Sequence, residues 1–177
     1  DLEFAQRAKE AGLHSLYLQL DGVSDDIYLR TRGRRLWEIK QQCIENVRKA
    51  GLKIVFVPTV VKGLNDHQVG DIVRLALENI DCLSGISFQP VSFTGRISRH
   101  ELEAKRFTQA DVAHAIWEQT GIAKPLEDWF PLSCVVPFSR LISALRGEPT
   151  THLSAHPHCS IGTYLFVDRN RKGVPVT

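Results

Sequence analysis

No apolar run in the 177-residue sequence approaches the about 18–20 residues that a membrane-spanning helix needs. No basic-then-apolar leader opens it either, so a cytoplasmic setting is the expectation. The four cysteines, Cys43, Cys82, Cys134 and Cys159, stand far apart without a C-x-x-C pair, which argues against the disulfide framework of a small secreted domain. The G-x-G-x-x-G, P-loop and G-x-S-x-G patterns are missing, and with them the common nucleotide and hydrolase readings. A net charge of +2 is too small to point to nucleic acid. There is no initiator methionine: the chain starts at Asp1, inside a helical pattern, and is expected to be part of something longer.

What is present is ordinary for a globular chain, 43% hydrophobic and 24% charged. Periodicity predicts helices over 3–11, 36–50 and 66–80 and strands over 13–20, 53–61 and 85–91, with a polar loop after the first strand. Asn65 or Asp66 is placed to cap the third helix. Ala11-Gly12-Leu13 recurs as Ala50-Gly51-Leu52, each time closing a helix before a strand. Such α-β alternation means parallel strands with helical crossovers, in a doubly wound sheet or in a barrel; the pattern alone fits both. Past Ser92 the rhythm changes. A polar excursion over 95–106 leads to a helix over 108–119 that Thr108 and Asp111 open. A proline-rich loop over 125–137, a short helix from Pro137, a strand over 163–168 and a frayed polar tail follow. The expected division is 1–98 for the α/β part and 99–177 for a mixed C-terminal extension.

Ligands of parallel α/β folds lie at the carboxyl ends of the strands. Those ends present Gln19, Asp21 and Gly22, then Thr59, Lys62 and Asn65, then Gln89, Ser92, Thr94 and Arg96. Amides, hydroxyls, a carboxylate and cations suit a polar ligand carrying a carboxylate, an amine and a ribose. No histidine stands at a strand end, so no hydrolytic triad forms, and no catalytic acid or base is singled out. Asp21 and Asn65 serve equally well as turn-shaping and capping residues. The cluster Arg30, Arg32, Arg34 and Arg35 is either a solvated surface or an anion site. Cys43 and Cys82 read as core thiols. Cys134 and Cys159 lie in loops near His156 and His158, where they are either metal ligands or packed structural thiols.

The run Leu18-Gln19-Leu20-Asp21-Gly22, followed by Asp25, Tyr28 and Arg32-Gly33, resembles the fourth strand and loop of radical S-adenosylmethionine (radical SAM) enzymes. Pro58 to Asp66 resembles their fifth strand and turn, and Ser87-Phe88-Gln89-Pro90-Val91 their sixth. The longer runs Gln89-Pro90-Val91-Ser92-Phe93-Thr94-Gly95-Arg96 and His156-Pro157-His158-Cys159 are similar to the archaeal tetraether lipid synthases and their relatives.

The resemblance implies the C-terminal half of a partial (βα) barrel. It implies S-adenosylmethionine and a [4Fe–4S] cluster in the full-length protein, and a 5′-deoxyadenosyl radical that abstracts hydrogen from an unactivated carbon, on a lipid chain or another small molecule. It assigns Gln19, Asp21, Gly22, Arg32, Thr59, Asn65, Gln89, Ser92 and Arg96 to S-adenosylmethionine or substrate. It assigns Cys134, Cys159, His156 and His158 to an auxiliary iron–sulfur site, although Ala155 stands where a further cysteine would be expected. The three-cysteine motif C-x-x-x-C-x-x-C is absent, so these residues by themselves are expected to be inactive. Self-association through the open strand edge is expected. Two other readings stand beside this one: a zinc-type barrel enzyme using the same cysteines and histidines, and a non-catalytic binding domain.

Overall fold

The computed structural model describes residues 1–150, 155–156 and 158–176. Asp1 caps α1 (Leu2–Glu10), its carboxylate accepting from the Phe4 amide at 2.7 Å. β1 (Ser15–Gln19) leads through α2 (Asp25–Arg32) to α3 (Trp37–Lys49). The next strand is broken at Pro58 into β2 (Lys53–Val57) and β3 (Thr59–Val60), because proline has no N–H to donate to a ladder. A 3-10 turn over Asp66–Gln68 runs into α4 (Val69–Glu78), and β4 (Leu83–Ile86) and β5 (Gln89–Pro90) form the third, also interrupted, strand.

These strands are parallel and lie in chain order, β1-β2-β4, with β3 and β5 extending the same pairing. Alternation along each strand separates two faces. Leu18, Leu20, Ile54 and Phe56 share one buried cluster with Ala5 of α1, Ile44 and Val47 of α3, and Ile72 and Ala76 of α4. Each large side chain enclosed there stabilises the fold by about 1.5–3 kcal/mol. Tyr17 and Gln19 emerge on the opposite, open face, where Tyr17 is 75% exposed. Helices on one face only, over strands in chain order, are consistent with part of an α/β barrel.

A second cluster joins Val60, Val69 and Val73 to Phe107, Val112, Ala115 and Ile116. It crosses the 98/99 division, because α6 (Gln109–Thr120) packs on α4. Before it, α5 (Arg99–Lys105) buries nothing. The Thr108–Asp111 capping box opens α6 as the sequence suggests. The remainder comprises β6 (Phe130–Pro131), α7 (Val135–Arg146), β7 (Ile161–Gly162), β8 (Leu165–Val167) and β9 (Gly173–Pro175), with β6 antiparallel to β7 and β8 to β9. No helix among the described residues is long and apolar enough to cross a membrane.

Three expectations are corrected. The polar loop after β1 contains α2, a short helix with Asp25 and Asp26 in its first turn, Arg30 and Arg32 in its last, and Gly33 in the left-handed conformation as its stop. Only Ile27 and Tyr28 are buried on it, too few to show a period. The tail after Asp168 is β9 rather than frayed chain. Asp168 Oδ1 accepts from the Asn170 and Lys172 amides, both at 2.8 Å, and turns the backbone into the β8–β9 hairpin. The proline-rich loop holds β6 and a 3-10 turn over Leu132–Cys134, and α7 begins before Pro137.

Candidate functional site

The loops at the carboxyl ends of β1 and β3 are tied together by buried polar side chains. Asp21 is 1% exposed. Its Oδ1 accepts from the Gln19 side-chain amide at 3.3 Å and from the Thr59 backbone N–H at 3.2 Å. Its Oδ2 accepts from Arg32 Nε at 2.9 Å and Nη2 at 2.7 Å. An enclosed carboxylate needs such a set of donors. Asp21 therefore orients Gln19, Thr59 and Arg32. The Arg32 side chain remains 40% exposed, and its Nη1 has no partner among the described residues.

Asn65, also 1% exposed, braces the same loops. Its Nδ2 donates to the Asp21 and Thr59 carbonyls, each at 2.7 Å, and its Oδ1 accepts from the Val61 amide at 2.7 Å. Both its N–H bonds are thereby engaged. The expected capping of α4 does not occur: Asn65 is turned to the strand ends, and Asp66 Oδ1 accepts from the Gly63 amide at 2.9 Å to close the preceding turn. Gln68 ties that turn to the loop after β1, accepting from the Val23 amide at 2.9 Å and donating to Ser24 Oγ at 2.6 Å. Gly22 lies beneath it, where a Cβ would come within 2.6 Å of Gln68 Oε1 and 3.0 Å of Ile27 Cβ.

Sequence reasoning did not assign Gln68, Tyr28, Asp25 or Lys40 to the site. Tyr28 Oη donates to the Gly22 carbonyl at 2.9 Å. Burial first, then the neighbouring Asp21 charge, hold its phenol above the ordinary value, so it stays a neutral donor. Asp25 Oδ1 accepts from the Leu36 and Trp37 amides at 2.9 and 3.0 Å and fixes the start of α3. Lys40, on α3 and within the field of Asp21 and Arg32, has its amine pushed down by burial. The available signal was spacing: Gln68 lies one helical turn beyond Asn65.

Strand register sets out the row of polar side chains at the strand ends. Gln19 is opposite Val57, and Thr59 is opposite Gln89. Gln19 and Gln89 are exposed and Thr59 partly so, all at the carboxyl ends. Ser92 and Arg96 are exposed on the segment after β5, and no described bond ties them to the Asp21 network.

The other predicted cluster is only partly assembled. The β6–β7 pairing brings the segments of Cys134 and Cys159 side by side, with the Leu132 amide donating to the Ser160 carbonyl at 3.0 Å. Both thiols are exposed. The His156 and His158 rings lie 5.2 Å apart between centroids. Among the described residues no three histidine, cysteine or carboxylate side chains converge as a metal site. Cys82 is buried and Cys43 half-buried, and burial pushes both thiols up, as befits inert core cysteines.

Comparison with known proteins follows the same outline. The family model described as the Radical SAM superfamily matches residues 1–76, the stretch that holds Gln19, Asp21, Arg32, Thr59 and Asn65. The 7,8-dihydro-6-hydroxymethylpterin dimethyltransferase of Methanocaldococcus jannaschii is 44% identical over 178 residues, covering 100% of this chain. The chain spans about a third of that relative, 35% of its length. Over residues 1–76 the chain is similar to radical SAM superfamily sequence.

Proposed function

We propose that the chain belongs to a radical SAM methyltransferase, that its strand ends form part of the S-adenosylmethionine cradle, and that the methyl acceptor is a pterin-like heterocycle. The observation that carries this reading is the Asp21–Arg32 pair. A buried carboxylate fixes a half-exposed guanidinium beside exposed amides, inside the segment that matches the superfamily. A planar guanidinium held along one edge offers the other to a carboxylate. The methionine carboxylate fits there, and Gln19, Thr59 and Gln89 offer the amides and hydroxyl that a ribose or an amine needs.

When bound, S-adenosylmethionine supplies a transferable methyl group or, on reductive cleavage, a carbon radical. The chain's own residues bind and orient it. Arg32 holds the carboxylate, Gln19 is aimed by Asp21, and Asn65 and Gln68 keep the two loops at fixed separation. The [4Fe–4S] cluster that the superfamily implies does not fit the residues present. Cys43 and Cys82 belong to the core, Cys134 and Cys159 lie in the extension, and no three ligands gather among the described residues. The tetraether-synthase resemblance would make the substrate a lipid chain. The relative's name favours the heterocycle.

Equilibrium dialysis of S-adenosylmethionine against the intact enzyme tests the cradle. Arg32→Lys keeps the charge but not the fork, and Gln19→Ala removes an exposed amide. Each is expected to weaken binding about tenfold, roughly 1.4 kcal/mol, with only a modest drop in melting temperature from the donor lost to Asp21. Unchanged affinity in both variants would remove the assignment.

A further inference from the structure

We infer that Tyr17 and Gly85 determine which methyl acceptor is taken, and that its flat heteroaromatic ring lies on the open face of the sheet across β1, β2 and β4. This rests on the methyltransferase reading above and concerns the full-length enzyme. Leu18, Ile54 and Phe56 point into the helix-covered cluster, so alternation turns Tyr17 and Val55 to the other face. Register joins them to Gly85: Tyr17 is opposite Val55, and Val55 is opposite Gly85. The three form one row over two strand spacings, about 9.6 Å. The next row towards the carboxyl ends holds Gln19 and Val57, and the one beyond it Thr59 and Gln89. Such rows are two residues apart, about 6.6 Å. A ring on the Tyr17 row is therefore the immediate neighbour, on the same face, of a ligand held by Gln19.

Gly85 has two ordinary explanations, and neither applies. Its φ is not in the left-handed region, so the backbone does not call for glycine. A Cβ built on it would meet nothing within 4 Å, so close packing does not call for it either. The bulge in β4, where Ser84 is the extra residue, needs glycine only in a left-handed form that is not found here. Glycine inside a strand weakens it and marks places where a ligand or another backbone comes close.

Across the row the side chains shrink from Tyr17 to Val55 to Gly85, which leaves a shelf with one aromatic wall. Tyr17 is 75% exposed, so its ring is free to take a partner. Strand side chains stand roughly perpendicular to the sheet. Aromatic rings pair offset or edge-on with centroids about 4.5–7 Å apart, which the strand spacing of about 4.8 Å allows over Val55. The far end of a planar ring system then extends over Gly85, where a side chain would lift it off the sheet. Ser87, exposed and next in the alternation after Gly85, offers a hydroxyl to the ring edge. A flexible alkyl chain needs neither the aromatic wall nor the missing Cβ.

The test is anaerobic binding of 7,8-dihydro-6-hydroxymethylpterin to the full-length enzyme, with S-adenosylmethionine affinity and melting temperature measured alongside. Tyr17→Leu removes the ring, Tyr17→Phe keeps it, and Gly85→Val fills the space above the shelf. Pterin affinity is expected to fall about tenfold in Tyr17→Leu and in Gly85→Val, and about twofold or less in Tyr17→Phe, with S-adenosylmethionine binding unaltered. Gly85→Val is expected to melt no lower than the unaltered enzyme, because valine is the better strand former. Undiminished pterin affinity in Tyr17→Leu or in Gly85→Val, or a lower melting temperature in Gly85→Val, would overturn this site and leave the methyltransferase reading intact. No pterin binding to the unaltered enzyme, with S-adenosylmethionine still bound, would overturn both the site and the pterin as acceptor.

Discussion

Asn65 shows how one buried amide can join two loops at the strand ends. It joins the end of β1 to the end of β3 through two carbonyls and one amide, all buried or nearly so. Truncation to alanine leaves that N–H and those carbonyls without partners, and an orphaned buried group costs about 1–3 kcal/mol. Asn65→Ala is therefore expected to lower stability by about 2–4 kcal/mol, read from the midpoint of urea unfolding. Asn65→Asp is expected to be worse at neutral pH, because a carboxylate oxygen would replace the amine that faces two carbonyl oxygens. Burial and that repulsion raise the folded-state pKa of the new carboxyl above its unfolded value of about 3.9. A raised folded pKa means the variant is most stable below the unfolded pKa and loses stability as pH rises. The gap between the Asp and Ala variants should thus close below about pH 4. If Asn65→Ala unfolded like the unaltered chain yet bound S-adenosylmethionine poorly, the amide would be a ligand contact instead. That Asn65 is important was legible from its place after a strand; which groups it joins was not, because its partners lie up to 44 positions away.

Among the elements, α4 and α6 make the contact that ties the extension to the parallel sheet. Gly70 permits it. A Cβ there would meet Gln119 Cβ at 2.6 Å, and the Gly70 amide donates to Gln119 Oε1 at 2.7 Å. Gln119 Nε2 in turn donates to the Asp66 carbonyl at 2.9 Å, at the turn leading into α4. Gly70→Ala should force the helices apart and lower stability by about 1–3 kcal/mol, even though alanine is the better helix former. An unchanged or raised unfolding midpoint would show that the helices are not held at this distance. Helices with a long apolar stripe, α3 and α4, were legible within one or two residues of their ends in most cases. α2 was not, since its two buried residues carry no period and its stability comes from Tyr28 and Asp25 reaching across to other loops. The hairpin of β8 and β9 was half legible. Phe166 and its neighbours read as a strand, but the partner strand was hidden in a polar tail whose turn depends on Asp168. The site divides in the same way. Polar residues at strand ends followed from the α/β rule, and Gln68 could have been reached by its spacing from Asn65, whereas Tyr28 and Lys40 enter through tertiary packing, which no spacing in the sequence encodes.

At the scale of the whole molecule, one face of the sheet is sealed by α1, α3 and α4 while the other is open, and β1 pairs on one side only. Tyr17 sits on that edge strand and that open face, 75% exposed, with Leu13 at 40% just before it. An edge strand with unpaired peptide groups and apolar side chains is a template for another chain. The 177-residue chain is therefore expected to associate reversibly, through the β1 edge and the open face, as its concentration rises. Sedimentation velocity over a dilution series should show a sedimentation coefficient that increases with concentration. Because the association is apolar and backbone-mediated, raising salt should not dissolve it, unlike a charge-driven contact that screening weakens. Tyr17→Lys places a charge on the edge strand, the device by which natural edges avoid pairing, and it should shift the population toward monomer. It should do so without changing the melting temperature of the dilute chain, since Tyr17 buries little in the fold. A sedimentation coefficient constant over the dilution series for the unaltered chain would show that the open face is not an association surface, and that the exposed row of Tyr17 and Gln19 is stable in water.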